Sequence, residues 1–333
     1  MQLSFSFIIP VYNRPDEVKE LLESLTEQTF NSPFEVVLVE DGSTLPSDKI
    51  VEQYRNKLQL SYFFKENSGP GDSRNYGMRH AKGNYFLILD SDCILPPQYL
   101  EEVNTSLQSD YVDCFGGPDT AHTSFSALQK AINYSMTSVF TTGGIRGNKK
   151  AINKFQPRSF NMGISKAAFV TSGGFGKIHP GEDPDLTIRL WKAGYNTKFI
   201  EKAFVYHKRR ISWKKFYQQV HKFGLTRPIL NAWHPETRKV TYWFPAVFML
   251  GLFLSIGAYF LGFKYVLLLY CGYFILIFVD SLLKNKNLLI ALMSILALVI
   301  QFYGYGTGFV KSTFLINLLN RNPQEVFPKL FFK

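Results

Sequence analysis

Two aspartates separated by one residue, Asp90 and Asp92, follow an apolar segment in the stretch NYFLILDSDC. In an extended chain alternate side chains point to the same side, so both carboxylates can face one point. Like charges held that close need a compensating cation. Carboxylate and water oxygens suit Mg²⁺ or Mn²⁺, and a nucleotide diphosphate could supply further ligands. The spacing alone is equally compatible with two solvated acids at the end of a strand.

Apolar strands alternate with amphipathic helices on both sides of this pair. Strands are predicted in SFSFIIPV (stopped by Pro10), FEVVLVED, LSYFFK and NYFLIL, with helices in PDEVKELLESL, at about 47–57 and after SGPG. This order is typical of an α/β fold in which helices cover a mostly parallel sheet. Ligands bind at the carboxyl ends of such strands, so the polar residues there should line one crevice. These residues are Tyr12, Asn13, Glu40, Asp41, Asp90 and Asp92.

The pattern is weaker farther along the chain, and residues 114–161 are left without an assignment. A strand and a short helix are predicted in SFNMGISKAAF, and GEDPDLTIRLWKAG predicts a helix that begins with acidic residues. Leu186, Leu190 and Trp191 share one face of that helix. A single further strand is predicted in the segment NTKFIEKAFVYHKRR.

Three long apolar stretches occupy the last third of the chain. Trp243–Phe263 and Leu288–Val310 carry no charge, and Tyr265–Leu283 carries only Asp280. Each exceeds the roughly 18 residues that mark a candidate membrane span. Three adjacent stretches of this length rarely fit one soluble core, so we predict transmembrane helices rather than buried core helices.

A basic segment precedes the first apolar stretch. The formal net charge is +11, and about ten Lys and Arg residues but one Glu lie between Lys202 and Lys239. A basic, aromatic-rich segment beside a span is typical of contact with anionic lipids on the cytosolic side. Because the chain has no nucleic-acid-binding motif, we expect membrane lipids as partners and no nucleic acid.

The N-terminal segment and the cysteines indicate the cellular compartment of the first domain. The segment MQLSFSFIIPVYNRP has no basic leader and no small-residue cleavage site, so we expect a cytosolic first domain. The three cysteines match neither a disulfide framework nor a zinc site. The topology of the last span stays open, because the 284–286 loop and the lysines after the span both favour the cytosol. Either one apolar segment is re-entrant or the final segment lies outside.

Four motifs together resemble the family 2 glycosyltransferases of GT-A fold. They are FIIPVYNRPDEVKELLESL, VVLVEDGST, GPGDSRNYGMRHAKGNYFLILDSD and GEDPDLTIRLWKAG, within about residues 4–210. The resemblance implies a nucleotide-sugar donor, a divalent metal (Mn²⁺ or Mg²⁺) and inversion at the anomeric carbon. The apolar third adds a likeness to bacterial transferases that build polysaccharides and lipid-linked glycans.

The resemblance also implies roles for the residues that bind the donor. Those at the base and ribose are Pro10, Val11, Tyr12, Glu40, Asp41, Gly69, Gly71 and Arg74. Asp41 matches the acid that bonds the nucleobase, and many members have Asp where this chain has Glu40. Asp90 and Asp92 match the metal-binding pair, with Asp92 the more direct ligand and Asp90 also at the donor. An ordinary turn remains the alternative for Gly69 and Gly71.

Glu182 and Asp183 match the acidic pair that holds the catalytic base, which is assigned to Asp183. A base there would take the proton from the acceptor hydroxyl as its oxygen attacks the sugar. Glu182 would position the acceptor or its neighbours. The alternative is a cluster of first-turn charges at the start of the following helix, and both roles are compatible.

Two further matches concern the segment after the motifs. His207 stands where some members have a metal or phosphate ligand, and a structural histidine is the alternative. QVHKF falls where processive synthases carry Q-x-x-R-W, which assigns Gln219 and Lys222 to the donor and Phe223 to the acceptor. Lys lacks the bidentate fork of Arg, so this departure weakens the case for a processive enzyme. A basic amphipathic helix at the membrane surface is the alternative.

These inferences combine into one prediction for the whole chain. Residues 1–210 form a GT-A glycosyltransferase domain, 211–242 a basic amphipathic interfacial segment, and 243–333 a membrane domain with about three spans. The enzyme would transfer a sugar to a glycan or lipid-linked acceptor at the cytosolic face of a membrane, which we expect to be the bacterial inner membrane. A processive polysaccharide synthase and an inactive membrane scaffold of the same fold are the alternatives.

Overall fold

The computed structural model describes residues 2–120, 125–143, 155–208 and 212–332. The chain divides into two compact units. The first contains residues 1–122, 149–208 and 331–333, and the second contains residues 123–148 and 209–330.

The first unit is built on a mostly parallel sheet, as predicted. Its described strands are β1 Phe5–Val11, β2 Glu35–Asp41, β3 Gln59–Lys65, β4 Tyr85–Leu89, β5 Cys93–Ile94, β6 Cys114–Gly116, β7 Asp119–Thr120, β8 Asn161–Ser165, β9 Thr197–Phe199 and β10 Val205–His207. Seven of them form a sheet in the order β3-β2-β1-β4-β8-β6-β9, in which only β8 runs antiparallel to its neighbours. A second sheet has the order β5-β10-β7.

Helices cover both faces of the large sheet. In this unit they are α1 Pro15–Thr26, α2 Asp48–Tyr54, α3 Pro70–His80, α4 Tyr99–Ser109, α7 Lys166–Ser172 and α8 Glu182–Lys192. Alternate β1 side chains enter opposite layers, with Phe7 packed in the layer of α1 and Ile8 in the layer of α3 and α8. The buried positions of α1 and α8 include the predicted Leu21 and Leu186. The expected α/β fold is therefore confirmed.

Three local expectations need correction. β1 continues through Pro10 to Val11. Pro10 pairs with Val39 of β2, whereas the pairing of β1 with β4 ends at Ile8, so Pro10 has a strand neighbour on one side only. Asp90 and Asp92 lie in a turn after β4, where Cys93 N donates to Asp90 O, and not within the strand. The single strand expected near residue 200 is two strands, because β9 pairs with β6 whereas β10 joins the second sheet.

The second unit is helical. Its helices are α5 Ala127–Thr137, α6 Val139–Thr142, α9 Trp213–Trp233, α10 Phe244–Phe260, α11 Tyr265–Asn285, α12 Leu288–Ser312 and the short α13 Pro323–Val326. In the described part of the chain, three helical segments are long and apolar enough to cross a membrane: Val240–Phe260, Tyr265–Asn285 and Leu288–Leu318. In the most apolar 18-residue stretch of each of the first two segments, 11% of the sequence is buried. Both segments therefore present most of their apolar side chains outward.

Small residues bring α9 and α12 close together within this unit. A Cβ added at Gly224 would lie 2.1 Å from Tyr305 O, and one at Gly308 would lie 2.4 Å from His221 O. Glycines permit such close backbone approach between helices, which is common in membrane proteins.

A similar close approach places α3 on the large sheet. A Cβ added at Gly77 would lie 2.7 Å from Ile8 Cγ2 and 3.2 Å from Val39 Cγ2. Both neighbours are fully buried β-branched side chains, which leaves them little freedom to move. Gly77 therefore sets the depth at which α3 sits, and with it the position of the polar residues on its first turns.

We predict that Gly77→Ala destabilises the protein although Ala favours helix. The helix propensity gain is about 1 kcal/mol, whereas overpacking a buried site costs about 1–3 kcal/mol and also shifts α3. Thermal unfolding of the full chain in detergent should show a lower midpoint. Arg79→Ala in the same helix, with a side chain 52% exposed, is the control and should change it little. An unchanged or higher midpoint for Gly77→Ala would contradict the packing argument.

Candidate active site

A buried arginine joins two groups of acids at the carboxyl end of the sheet. Arg74, in the first turns of α3, is 3% exposed. One terminal nitrogen lies 2.7 Å from Asp90 Oδ1 and the other lies 3.2 Å from Glu182 Oε1. The charges of these acids raise the pKa of Arg74 even though burial acts to lower it. The Arg74 guanidinium thus bonds both the predicted metal-binding turn and the predicted base motif.

The second aspartate of the turn has its own basic partners. Asp92 Oδ2 accepts from Arg14 Nη1 at 2.6 Å, and Asp92 Oδ1 lies 3.1 Å from His207 Nε2. The same His207 nitrogen is 3.9 Å from Asp90 Oδ2. β10 sets this arrangement by pairing His207 with Cys93, the residue after Asp92. The two aspartates therefore converge on one point, as expected, through a turn and a second strand.

The donor set at this point fits a divalent cation. Asp92, Cys93 and His207 each offer one ligand atom, and these atoms lie within 4.8 Å of one another. Burial, followed by the charges of Asp92 and Asp90, raises the pKa of the Cys93 thiol well above its ordinary value. The thiol donates to Phe160 O at 3.4 Å, so it stays protonated and is a poor ligand at neutral pH. Carboxylate oxygens and an imidazole nitrogen remain, a combination that suits Mn²⁺.

Glu182 and Asp183 begin α8 but differ in their surroundings. Glu182 is 3% exposed and its Oε1 lies 2.8 Å from His179 Nδ1. Burial acts to raise the pKa of Glu182, but His179 and Arg74 outweigh it, and the pKa is lowered. For Asp183, burial and the neighbouring Glu182 charge raise the pKa to about 6. The Asp183 Oδ1 atom is buried and makes no hydrogen bond within the described part of the chain.

This contrast separates the roles of the two acids chemically. Glu182 is held as an anion by its basic neighbours. Asp183 has a carboxylate oxygen free to accept a proton and a pKa close to neutral, the properties of a general base. A helix-capping role does not require either feature.

Asp41 orders the loop before α3. Its Oδ1 accepts from Lys65 Nζ at 2.6 Å and from Ser68 N at 3.0 Å, and its Oδ2 accepts from Gly69 N at 2.9 Å. Gly69 has φ +93°, a conformation that glycine adopts readily. Gly71 lies against another loop, since a Cβ there would be 3.0 Å from Gly176 O. Both glycines thus have structural reasons to be glycine beside any role at a ligand.

Glu40 lies beneath the site and is 0% exposed. It accepts a hydrogen bond from Ser43 Oγ, and its Oε2 accepts from Ser47 N at 3.0 Å and Tyr62 Oη at 3.1 Å. Burial and the Glu40 charge raise the Tyr62 pKa, so the phenol remains a donor. Glu40 in this structure holds the loop after β2, and its assignment to the donor stays a prediction.

The other predicted residues lie in two places. Pro10 and Val11 end β1, and Tyr12 follows with its side chain 53% exposed. Gln219, Lys222 and Phe223 lie on α9 in the second unit. There Phe223 packs against a cluster that includes Phe216 and Val220. The roles of these six residues remain predictions.

Two basic residues of the site were not identified from the sequence. Arg14 ends the segment PVYNR, which follows a predicted strand. A basic side chain at that strand end could have been expected to approach the acidic turn. His179 precedes Glu182 by three residues, but nothing in the sequence shows that the intervening turn directs the ring toward that carboxylate. Each lies within bonding distance of an acid that the motifs did identify, Arg14 of Asp92 and His179 of Glu182.

Comparison with known proteins gives a consistent assignment. The family model described as "Glycosyl transferase family 2" matches residues 6–170. The poly(ribitol-phosphate) beta-N-acetylglucosaminyltransferase TarS of Staphylococcus aureus is 39% identical over 114 residues, covering 33% of this chain and 20% of TarS. An uncharacterised glycosyltransferase of Haemophilus influenzae is 41% identical over 99 residues, covering 29% of this chain and 32% of that protein. The matched part of the chain thus covers no more than a third of the length of either relative.

A solved structure shares the fold over nearly the whole chain. The mannosyltransferase PcManGT from Pyrobaculum calidifontis, in complex with GDP-Man and Mn²⁺, is 16% identical with a TM-score of 0.57, covering 97% of this chain and 89% of that one. The fold, the family match and the relatives that are named glycosyltransferases agree with one another. Residues 6–170 accordingly form a domain of glycosyl transferase family 2.

Proposed function

We propose that this protein is a membrane-anchored, inverting glycosyltransferase that moves one sugar from a nucleotide donor to a hydroxyl of a glycan or lipid-linked acceptor. The observation that carries the proposal is the Arg74 bridge between Asp90 and Glu182. Through this bridge, the acids that would suit a metal and diphosphate would lie beside the acids that would suit proton removal. A scaffold without activity would not need an unbonded carboxylate oxygen at Asp183.

The donor would bind along the carboxyl ends of β1, β2 and β4. Asp41 and the loop at Gly69 would receive the base and ribose, with Tyr12 at their border. TarS is named a beta-N-acetylglucosaminyltransferase, so UDP-GlcNAc is the first donor to test, with GDP-mannose second.

Asp90, Asp92 and His207 would hold Mn²⁺ or Mg²⁺. Bound there, the ion would neutralise charge on the departing diphosphate. Arg14 and Arg74 are bonded to these aspartates, so they limit repulsion between the acids before the donor arrives. Both guanidinium groups also suit contact with phosphate oxygens.

Asp183 would act on the acceptor. Its carboxylate takes the hydroxyl proton as the oxygen forms a bond to the anomeric carbon, and the bond from that carbon to the diphosphate breaks. Attack from the side opposite the leaving group inverts the configuration. Glu182, kept anionic by His179 and Arg74, would position the acceptor and maintain the raised Asp183 pKa.

The membrane part of the proposal rests on three apolar helical segments. Outward residues such as Leu250, Leu254 and Leu269 are 61%, 64% and 76% exposed, which suits lipid rather than water. The basic residues between Lys202 and Lys239 would contact anionic headgroups at the cytosolic face of a bacterial inner membrane. A lipid-linked acceptor would meet the enzyme at that surface.

We predict that Asp183→Asn lowers the transfer rate by roughly 10²- to 10⁴-fold, the usual contribution of general acid–base catalysis. The substitution keeps the size of the side chain and removes the proton acceptor, so the donor Kd should change less than about threefold. Single-turnover transfer with saturating donor measures the first quantity, and donor titration the second. Asp110→Asn, on a side chain 71% exposed, is the control. Near-normal transfer by Asp183→Asn would remove this residue from the mechanism.

The wild-type rate should depend on pH through the same residue. Because the Asp183 pKa is raised to about 6, the carboxyl becomes protonated and inactive as a base below that pH. The transfer rate should rise through about pH 6 and level off above it. The control Asp110→Asn should keep this profile. A rate independent of pH between 5 and 7 would contradict the assignment.

We predict that Asp92→Asn abolishes metal-dependent donor binding and leaves the fold intact. Loss of a ligand should weaken Mn²⁺ affinity more than roughly tenfold, since even residues behind the ligands contribute that much. Calorimetric titration of Mn²⁺ and UDP into the full chain measures this, with circular dichroism to check folding. Glu52→Gln, 72% exposed on α2, is the matched control. Unchanged Mn²⁺-dependent affinity in Asp92→Asn would refute the site.

We also predict that the protein is an integral membrane protein. The full chain should remain with membranes after a sodium carbonate wash and should be released by detergent, because the apolar helices cannot be left in water. Fractionation followed by immunoblotting measures this. Recovery of the folded chain in the soluble fraction without detergent would contradict the proposed anchor.

A further inference from the structure

Phe331 and Phe332 form a strap on the first unit, although the chain reaches them only after α10, α11 and α12. Phe331 forms an antiparallel β-bridge with Ile178, and Phe332 N donates to Lys177 O at 3.0 Å. Two main-chain contacts in succession fix the register of this short segment. The ring of Phe332 is thereby directed to a defined place.

That place is between two loops of the candidate site. A Cβ added at Gly69 would lie 2.3 Å from the Phe332 ring, so the ring packs directly on the bare glycine backbone. The centroid of the same ring is 5.9 Å from that of the His179 ring. Gly69 N donates to Asp41 Oδ2, and His179 bonds Glu182. Phe332 thus contacts two residues that each bond an acid of the candidate site, Asp41 at the end of β2 and Glu182 at the start of α8.

We propose that Phe332 is a positioning residue for donor binding, which joins the Gly69 loop to the His179 loop. The inference rests on the proposed function, since it assigns Phe332 to the nucleotide site of that reaction. The contacts that define the strap are to the backbone of Gly69 and Lys177, to Ile178 and to the His179 ring. The strap therefore acts on the loops and not on the reacting groups.

The physical effect is preorganisation. A loop that is held in its binding conformation loses less conformational entropy when the ligand arrives, and the ligand binds more tightly. Asp41 orders the Gly69 loop from beneath, and the aromatic ring covers the same glycine from the other loop. Removing the ring would leave Gly69 with its wide backbone freedom and His179 without its aromatic neighbour.

The test compares Phe332→Ala with the wild-type full chain in detergent. We expect the Kd for UDP or GDP, each with Mn²⁺, to rise roughly tenfold by calorimetry, from the loss of preorganisation. The donor KM should rise by a similar factor while kcat changes little, because Asp183 is untouched. Phe332→Tyr keeps the ring and should restore most of the affinity.

Phe30→Ala is the matched control. Phe30 is also half-buried and makes an edge contact with Phe5 at 5.9 Å, but it precedes β2 at the opposite end of the strands. It should lower stability without changing nucleotide affinity. Unchanged or tighter nucleotide binding by Phe332→Ala, or an equal loss in Phe30→Ala, overturns the inference. Failure of the wild-type protein to bind either nucleotide overturns the proposed function itself.

Discussion

The two ion pairs of the buried Arg74 are the interaction on which the candidate site depends. A guanidinium that is 3% exposed needs acids beside it, and Asp90 and Glu182 supply them from two distant parts of the chain. Breaking such a buried pair by removing one partner typically costs about 3–5 kcal/mol, because the remaining charge stays buried. The arrangement therefore couples the turn after β4 to the start of α8. Any movement of α3 would shift Arg74 and so change its distance from both acids.

The remaining charges follow from this bridge. With Arg74 shared between Asp90 and Glu182, Asp92 is balanced by Arg14 and His207, and Glu182 gains His179. Among these site acids whose pKa shift is resolved, Asp183 is the one whose pKa rises, and its Oδ1 atom is buried without a hydrogen bond among the described residues. Burial, followed by the neighbouring Glu182 charge, thus raises the pKa of Asp183 to about 6. Glu40 differs, because it is buried and accepts hydrogen bonds from the neutral donors Ser43, Ser47 and Tyr62.

Glycines decide how closely the backbone elements approach one another. Gly77 lets α3 lie on Ile8 and Val39, Gly71 lets its first turn meet Gly176, and Gly69 receives the Phe332 ring. In each case the neighbour is a side chain or main-chain atom from a distant segment. A larger residue would move α3, and Arg74 with it. The position of the site therefore depends on contacts made by residues that carry no chemistry.

The sequence by itself determined the α/β class, the strand and helix order up to β4, the apolar helices and the acids at the strand ends. These features are local, since hydrophobic periodicity, Pro and Gly positions and acid spacing are read within one segment. It did not reveal that Pro10 continues β1, that β9 and β10 belong to different sheets, or that Arg14, His179 and Phe332 reach the site. Those outcomes depend on which distant segments pair, so the register of the strands and the packing of loops decided them. The sequence alone identified the candidate catalytic and metal-binding residues. Only the tertiary structure decided which side chains they contact, because an ion pair or a ring contact depends on two positions in the chain and not on one.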